Sequence, residues 1–153
     1  MISVVIPAFN EQENIPAAAE RLGGILAPLS DYELIFVDDG SKDGTWELIK
    51  QLGETDEHIR GLHFSRNFGK EGAVFAGLKA ADGDCVAVID CDLQHPPELL
   101  EKMYAAWKNG PSLPLDALTA STTSALFFHA AYIFSRLGRN LTSNTRSASA
   151  GAS

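Results

Sequence analysis

Residues 86–97, VAVIDCDLQHPP, run four apolar residues straight into two aspartates one position apart and then a double proline. The run VAVI (86–89) has no polar alternation, the pattern of a strand covered on both faces, so Asp90 and Asp92 fall at its carboxyl end. In open α/β sheets that edge leaves a crevice for ligands between strand ends and helix starts. Two carboxylates at i and i+2 repel one another, and a positive group between them relieves the cost. Mg²⁺ is commonly held by one or two carboxylates plus substrate phosphates, so a sparse acidic pair is sufficient. The competing reading of this stretch alone is a solvated acidic turn leading into a helix at Pro96.

The same pattern repeats upstream. ISVVIP (2–7) is a short, β-branched apolar run and reads as a strand. Asn10 is positioned to cap a following helix, with Glu11 and Glu13 in the first turn, where the macrodipole favours negative charge. That helix is expected to reach about Leu26 and to stop before Pro28. YELIFV (32–37) is a second strand ending in Asp38 and Asp39, followed by the turn DGSKDGT (39–45) and a helix over 45–52. IRGLHF (59–64) is a third strand, and SRNFGKEG (65–72) joins it to a helix over 72–81. After VAVI, the segment PPELLEKMYAAWKNG (96–110) carries Leu99, Leu100, Met103, Tyr104 and Trp107 at helical spacing, a buried face.

Strand then helix, four times over, specifies an α/β fold with a mainly parallel sheet, right-handed crossovers and helices on its faces. The clusters PAFNE (7–11), DDGS (38–41), SRNFGK (65–70) and DCD (90–92) then share one edge. An isolated acidic turn needs no such company, which favours the crevice. Acids alternating with one basic loop suit a ligand with phosphates, hydroxyls and hydrogen-bonding ring edges.

The bulk numbers narrow the function classes. A chain of 153 residues with 45% apolar content supports one domain with a core. A net charge of -8 with no basic stripe argues against nucleic acid as a partner. Cys85 and Cys91 form neither a CxxC nor a zinc pattern and read as free thiols of a reducing compartment. MISVVIPAFN (1–10) lacks a basic n-region and reads as a strand rather than a signal peptide. The longest apolar run, ALFFHAAYIF (125–134), is about half the roughly 20 residues needed to span a bilayer. The expected location is cytoplasmic, extending to the inner face of the plasma membrane. No oligomeric state is read from the sequence.

Composition changes near Gly110. Of the 20 acidic residues only Asp116 lies beyond it, and of the 12 basic residues only Arg136, Arg139 and Arg146 do. The close, NLTSNTRSASAGAS (140–153), has the composition of a tail that buries too little apolar surface to offset chain entropy. One short helix over 124–137 is expected within it. The organisation read here is an informative domain, 1–110, and a divergent low-complexity segment, 111–153, as a truncated gene, a shifted frame or a divergent end would each produce.

Two phosphate-binding motifs are absent. The only GK pair, Gly69 and Lys70, is followed by Glu71 rather than Ser or Thr, and the first strand is followed by PAFNEQ rather than GxGxxG. A phosphoacceptor receiver would carry its acidic pair after the first strand, and a nucleotidyltransferase would open on a Gly-rich basic loop. Neither is found.

VVIPAFNEQENI (4–15), FVDDGSKDGTWELI (36–49), FSRNFGKEGAVFAGL (64–78) and VIDCDLQHPPELL (88–100) together resemble family 2 glycosyltransferases of the GT-A fold. More narrowly they resemble the bacterial branch similar to dolichol-phosphate mannose synthase, which transfers glucose or a related sugar to undecaprenyl phosphate. The resemblance implies a nucleotide-diphospho-sugar donor, UDP-glucose-like, a lipid-phosphate acceptor, and Mg²⁺ or Mn²⁺. It also implies that Pro7, Asn10 and Glu11 line the base and ribose pocket, that Asp38 and Asp39 supply a carboxylate to a base ring N–H, and that Asn67, Gly69 and Lys70 close over the nucleotide. Asp90 and Asp92 match the family's DxD, one reaching ribose or metal and the other holding the metal on the diphosphate, and Gln94 matches a residue facing the donor sugar. His58 and His63 flank a strand and read as structural, and His95 as a turn residue. The arginine-rich and acceptor-side motifs of the family are not found after 111. The alternative is therefore a nucleotide-sugar-binding module without turnover.

Overall fold

The computed structural model describes residues 1–109 and, as backbone alone, the pair Phe134–Ser135. Four parallel strands form the scaffold: β1 (Ile2–Ala8), β2 (Tyr32–Asp38), β3 (Ile59–His63) and β4 (Cys85–Val88). Helices α1 (Ile15–Leu26), α2 (Thr45–Thr55) and α3 (Lys70–Ala80) connect them, and α4 (Leu99–Lys108) follows β4. The two-residue strand β5 (Phe134–Ser135) pairs antiparallel with β4, giving the order β3-β2-β1-β4-β5.

β1 is central, hydrogen-bonded to β2 on one side and β4 on the other. Its side chains alternate between two cores, as the period of a strand requires. Ile2, Val4 and Ile6 join Leu34, Phe36, Ala87 and the inner residues of α1, α2 and α4, whereas Val5 joins Ile35, Val37, Val86 and Ala73 of α3. Three helices thus cover one face and α3 the other. Helix α3 can lie this close to the sheet because position 77 is glycine: a Cβ there would run into Val5 Cγ1 and come 3.2 Å from Val37 Cγ2.

The amino edge of the sheet holds a polar knot. Glu33 is buried, and its carboxylate accepts from Ser3 Oγ at 2.5 Å, from Arg60 at 2.6 Å and from the Asp82 backbone N–H at 2.8 Å. Arg60 also meets Asp82 Oδ2 at 3.0 Å, and Gly83 N–H donates to Ser3 Oγ at 2.8 Å. β1, β2, β3 and the α3–β4 turn are joined through these contacts. Burial works to raise the Glu33 pKa, but the hydrogen bonds from Ser3, Asp82 and Arg60 outweigh it and hold the group below the usual carboxylate range.

The strand–helix alternation stands as read, with differences at the ends. α1 begins at Ile15, with Asn14 preceding it and Pro16 in its first turn, so Asn10 is not its cap and Glu11 and Glu13 precede it. A turn opens first, with Asn14 and Ile15 N–H both donating to Glu11 O, because the loop after β1 is tied elsewhere. α2 extends to Thr55, and α3 starts two residues early at Lys70. On α4, Leu100 and Met103 are buried and Tyr104 packs against the core, while Leu99 and Trp107 are half-buried. Of the helix expected over 124–137, the two described residues are a strand instead, paired with the edge of β4. The rest of that expectation, with Arg136 and Arg139, lies outside the described residues.

Candidate active site

The carboxyl ends of the four parallel strands carry the polar loops, and two of those loops are laced together. Asn10 holds a left-handed backbone with φ 52°, a conformation Asn tolerates better than most residues. Its N–H donates to Ser41 Oγ at 2.9 Å, and its Oδ1 accepts from Lys42 N–H at 2.9 Å. Glu11 N–H donates to Thr45 Oγ1 at 2.9 Å, and Gln12 Oε1 accepts from Gly44 N–H at 2.8 Å. The turn DGSKDGT is therefore the mould for the loop PAFNE.

Asp38 and Asp39 diverge at the end of β2. Asp38 is fully buried, with Oδ1 accepting from Ser41 N–H at 3.1 Å and Oδ2 from His63 Nδ1 at 2.7 Å. The His63 ring stacks on Trp46 with centroids 4.8 Å apart. Asp39 accepts from Phe68 N–H at 2.7 Å through Oδ1 and borders the cleft. Gly40, with φ 71°, completes the turn, and a Cβ there would strike the backbone of Arg66 and Asn67. The close approach of the 65–69 loop to the acidic turn needs that glycine.

Lys70, the first residue of α3, reaches across to Asp90 with Nζ 2.6 Å from Oδ1. After β4 the chain turns tightly: Leu93 N–H donates to Asp90 O at 3.2 Å, and Gln94 N–H to Asp92 Oδ1 at 3.2 Å. Leu93 sits at φ 50°, an uncommon conformation for a bulky side chain, of the kind that collects at functional sites.

These loops enclose a cleft of about 360 Å³, within the roughly 300–1,000 Å³ usual for small-molecule sites. Its walls include Pro7, Glu11, Asp39, Asn67, Gly69, Lys70, Asp90 and Asp92, all named from the sequence. Asn10, Asp38 and Gln94 are not on the wall. Asp38, expected with Asp39 to offer a carboxylate to the base, has no exposed surface and both oxygens engaged, and it supports the turn from behind. The walls also include Phe9, 42% exposed, and Cys91, neither foreseen. Phe9 was signalled by its place inside PAFNE, an aromatic residue at a polar edge. Burial, reinforced by Glu11, Asp92 and Asp90, pushes the Cys91 thiol up to about 12, so it is no nucleophile near neutral pH.

Four carboxylates, Glu11, Asp39, Asp90 and Asp92, face one ammonium, Lys70, across the cleft. Asp90 and Asp92, two positions apart in the turn after β4 and both on the wall, could hold a divalent ion. Among the described residues no group of three or more His, Cys, Asp or Glu forms a protein-only metal cage.

A family model described as glycosyl transferase family 2 matches residues 3–149. The chain belongs to that family. The match runs past the composition change at Gly110. A glycosyltransferase of Bacillus subtilis, YkcC, is 41% identical over 109 residues, covering 71% of this chain and 34% of that protein. The bactoprenol glucosyl transferase of Shigella phage SfV is 43% identical over 116 residues, covering 74% of this chain and 38% of that protein. The chain thus spans little more than a third of the curated relatives it matches. Among solved structures, the mannosyltransferase PcManGT of Pyrobaculum calidifontis, in complex with GDP-Man and Mn²⁺, superposes with a TM-score of 0.63 at 24% identity, over 73% of this chain and 33% of that one. S. aureus TarS 1-349 in complex with UDP gives 0.60 at 24% identity, over 71% and 32%. Both establish the GT-A fold for the family 2 chain. No helix among its described residues is long and apolar enough to cross a membrane.

Proposed function

We propose that the cleft binds the diphosphate of a nucleotide-sugar donor together with a divalent cation, and that residues 1–110 are the donor half of a hexosyltransferase acting on a polyprenyl phosphate. The charge on the walls carries the reading. Four carboxylates against one ammonium repel a bare diphosphate, so the anion enters only with positive charge of its own. The bactoprenol glucosyl transferase relatives support the lipid-phosphate acceptor and a glucose-like sugar. Such an acceptor puts the reaction at the inner face of the membrane.

The residues present fit Mg²⁺ or Mn²⁺ in the way such ions are bound beside substrate phosphates, with Asp90 and Asp92 as protein ligands and the diphosphate completing the shell. When bound, the ion supplies Lewis-acid stabilisation of the charge that builds on the departing diphosphate. Lys70 adds a movable positive charge on the same side. Asp39 keeps one carboxylate oxygen on Phe68 N–H and offers the other to a ring N–H of the base. The exposed Phe9 ring offers a face for the base to stack on. Pro7, Glu11, Asn67 and Gly69 complete the nucleotide wall, and Gln94 beside Asp92 is assigned to the sugar.

The bond that breaks joins the anomeric carbon to the terminal phosphate oxygen of the donor, and the nucleoside diphosphate leaves with the electron pair. The bond that forms joins that carbon to an oxygen of the acceptor phosphate. This oxygen is already ionised near neutral pH, so no general base has to take a proton, and no histidine lines the described cleft. Calorimetric titration with UDP in Mn²⁺, alongside sugar transfer to polyprenyl phosphate, tests the reading. Saturable binding that Asp92→Ala abolishes while circular dichroism is unchanged is the expected result. Equal affinity in Asp92→Ala would remove the metal assignment, and binding without transfer would replace the transferase by a nucleotide-sugar-binding module.

A further inference from the structure

We infer that Lys70 is an exchangeable counter-ion: its ammonium competes with free divalent cations for Asp90 and yields it more readily to a cation arriving with a diphosphate, to which the ammonium then moves. The inference rests on the donor-site reading above. Lys70 Nζ lies 2.6 Å from Asp90 Oδ1, with the lysine side chain 54% exposed and the aspartate 27%. The carboxylate is therefore set into the wall while the ammonium is free to leave.

The backbone around the lysine is fixed. Phe68 N–H is held on Asp39 Oδ1 at 2.7 Å, Gly69 N–H on Asn67 Oδ1 at 3.0 Å, and Lys70 itself opens α3. The part least tied is the four-carbon stem with its charge. The loop 65–69 is thus tied to one acidic cluster through Asp39 and to the other through Lys70.

A cation entering alone must displace the ammonium from Asp90 and leave it stranded beside a like charge. A cation entering with a diphosphate brings anionic oxygens that take the displaced ammonium. The two ligands therefore favour each other's binding, and by linkage the coupling is reciprocal. A cleft lined by so many carboxylates would otherwise collect divalent ions unproductively.

The test titrates the full 153-residue chain with Mn²⁺ alone, followed by electron paramagnetic resonance of the free ion, and with UDP at fixed Mn²⁺, followed by calorimetry. In Lys70→Met, affinity for Mn²⁺ alone is expected to tighten about threefold to fivefold, the scale of a partly exposed ion pair. Affinity for UDP in Mn²⁺ is expected to weaken about tenfold, the scale of one charge-assisted contact. The opposite signs are what a merely structural lysine would not give. Lys70→Arg keeps the charge and is expected to leave Mn²⁺ affinity within about twofold of the unaltered chain. Unchanged or weaker Mn²⁺ binding in Lys70→Met, no detectable binding there, or equal tightening in Lys70→Arg overturns the inference. Absence of Mn²⁺-dependent UDP binding in the unaltered chain instead overturns the donor-site reading, while the Mn²⁺-only comparison still reports on the counter-ion.

Discussion

Asp38 and Asp39 are neighbours in sequence and opposites in role. The sequence made the DDG turn legible as a ligand edge but not which carboxylate faces the cleft. That choice is made by β3, which delivers His63 to Asp38 at 2.7 Å, and by the 65–69 loop, which delivers Phe68 N–H to Asp39. Neither partner is near in sequence. Asp90 and Asp92 were easier, because the strand before them is uniformly apolar and the chain must turn where the charges begin. Asp38→Ala leaves the His63 ring and Ser41 N–H without their acceptor. A loss of about 1.5–3 kcal/mol in urea unfolding is expected, the scale of hydrogen bonds made to a charged group. A stability equal to the unaltered chain would show that Asp38 does not hold the turn.

Elements were legible where periodicity was strong and uncertain where long-range contacts set the ends. The start of α1 was misplaced because Asn10 has cap chemistry, yet its side chain is spent on Lys42 N–H in the neighbouring loop. The knot of Ser3, Glu33, Arg60 and Asp82 was invisible, since a polar residue in a strand reads as exposed until three other elements are seen to converge on it. Its consequence is a pH dependence with a definite sign. The folded-state pKa of Glu33 is lowered, so its contribution is present above the ordinary glutamate value, about 4.3, and is lost as pH falls through the lower folded value. Glu33→Gln is therefore expected to be less stable than the unaltered chain at pH 6 and to show a shallower loss on acidification below about pH 4. Parallel stability–pH profiles from urea unfolding would contradict this.

For the whole molecule, four strand–helix units gave a parallel sheet with all four polar loops on one edge, and all four meet around one cleft. What the sequence could not supply was the sheet order, which places β4 beside β1 rather than beside β3 and so brings Asp90 to Lys70 and into one cleft with Glu11. Nor could it supply β5, since a two-residue antiparallel pairing has no periodic signature. The central claim, that a divalent cation and a nucleotide diphosphate share this cleft, is tested most directly by ¹H–¹⁵N spectra of the labelled chain in UDP with substoichiometric Mn²⁺. Paramagnetic broadening is expected to centre on Asp90, Cys91 and Asp92, to extend to Lys70 and Glu11, and to spare the amino edge around Glu33 and Arg60. Broadening centred elsewhere, or none with UDP bound, would contradict it.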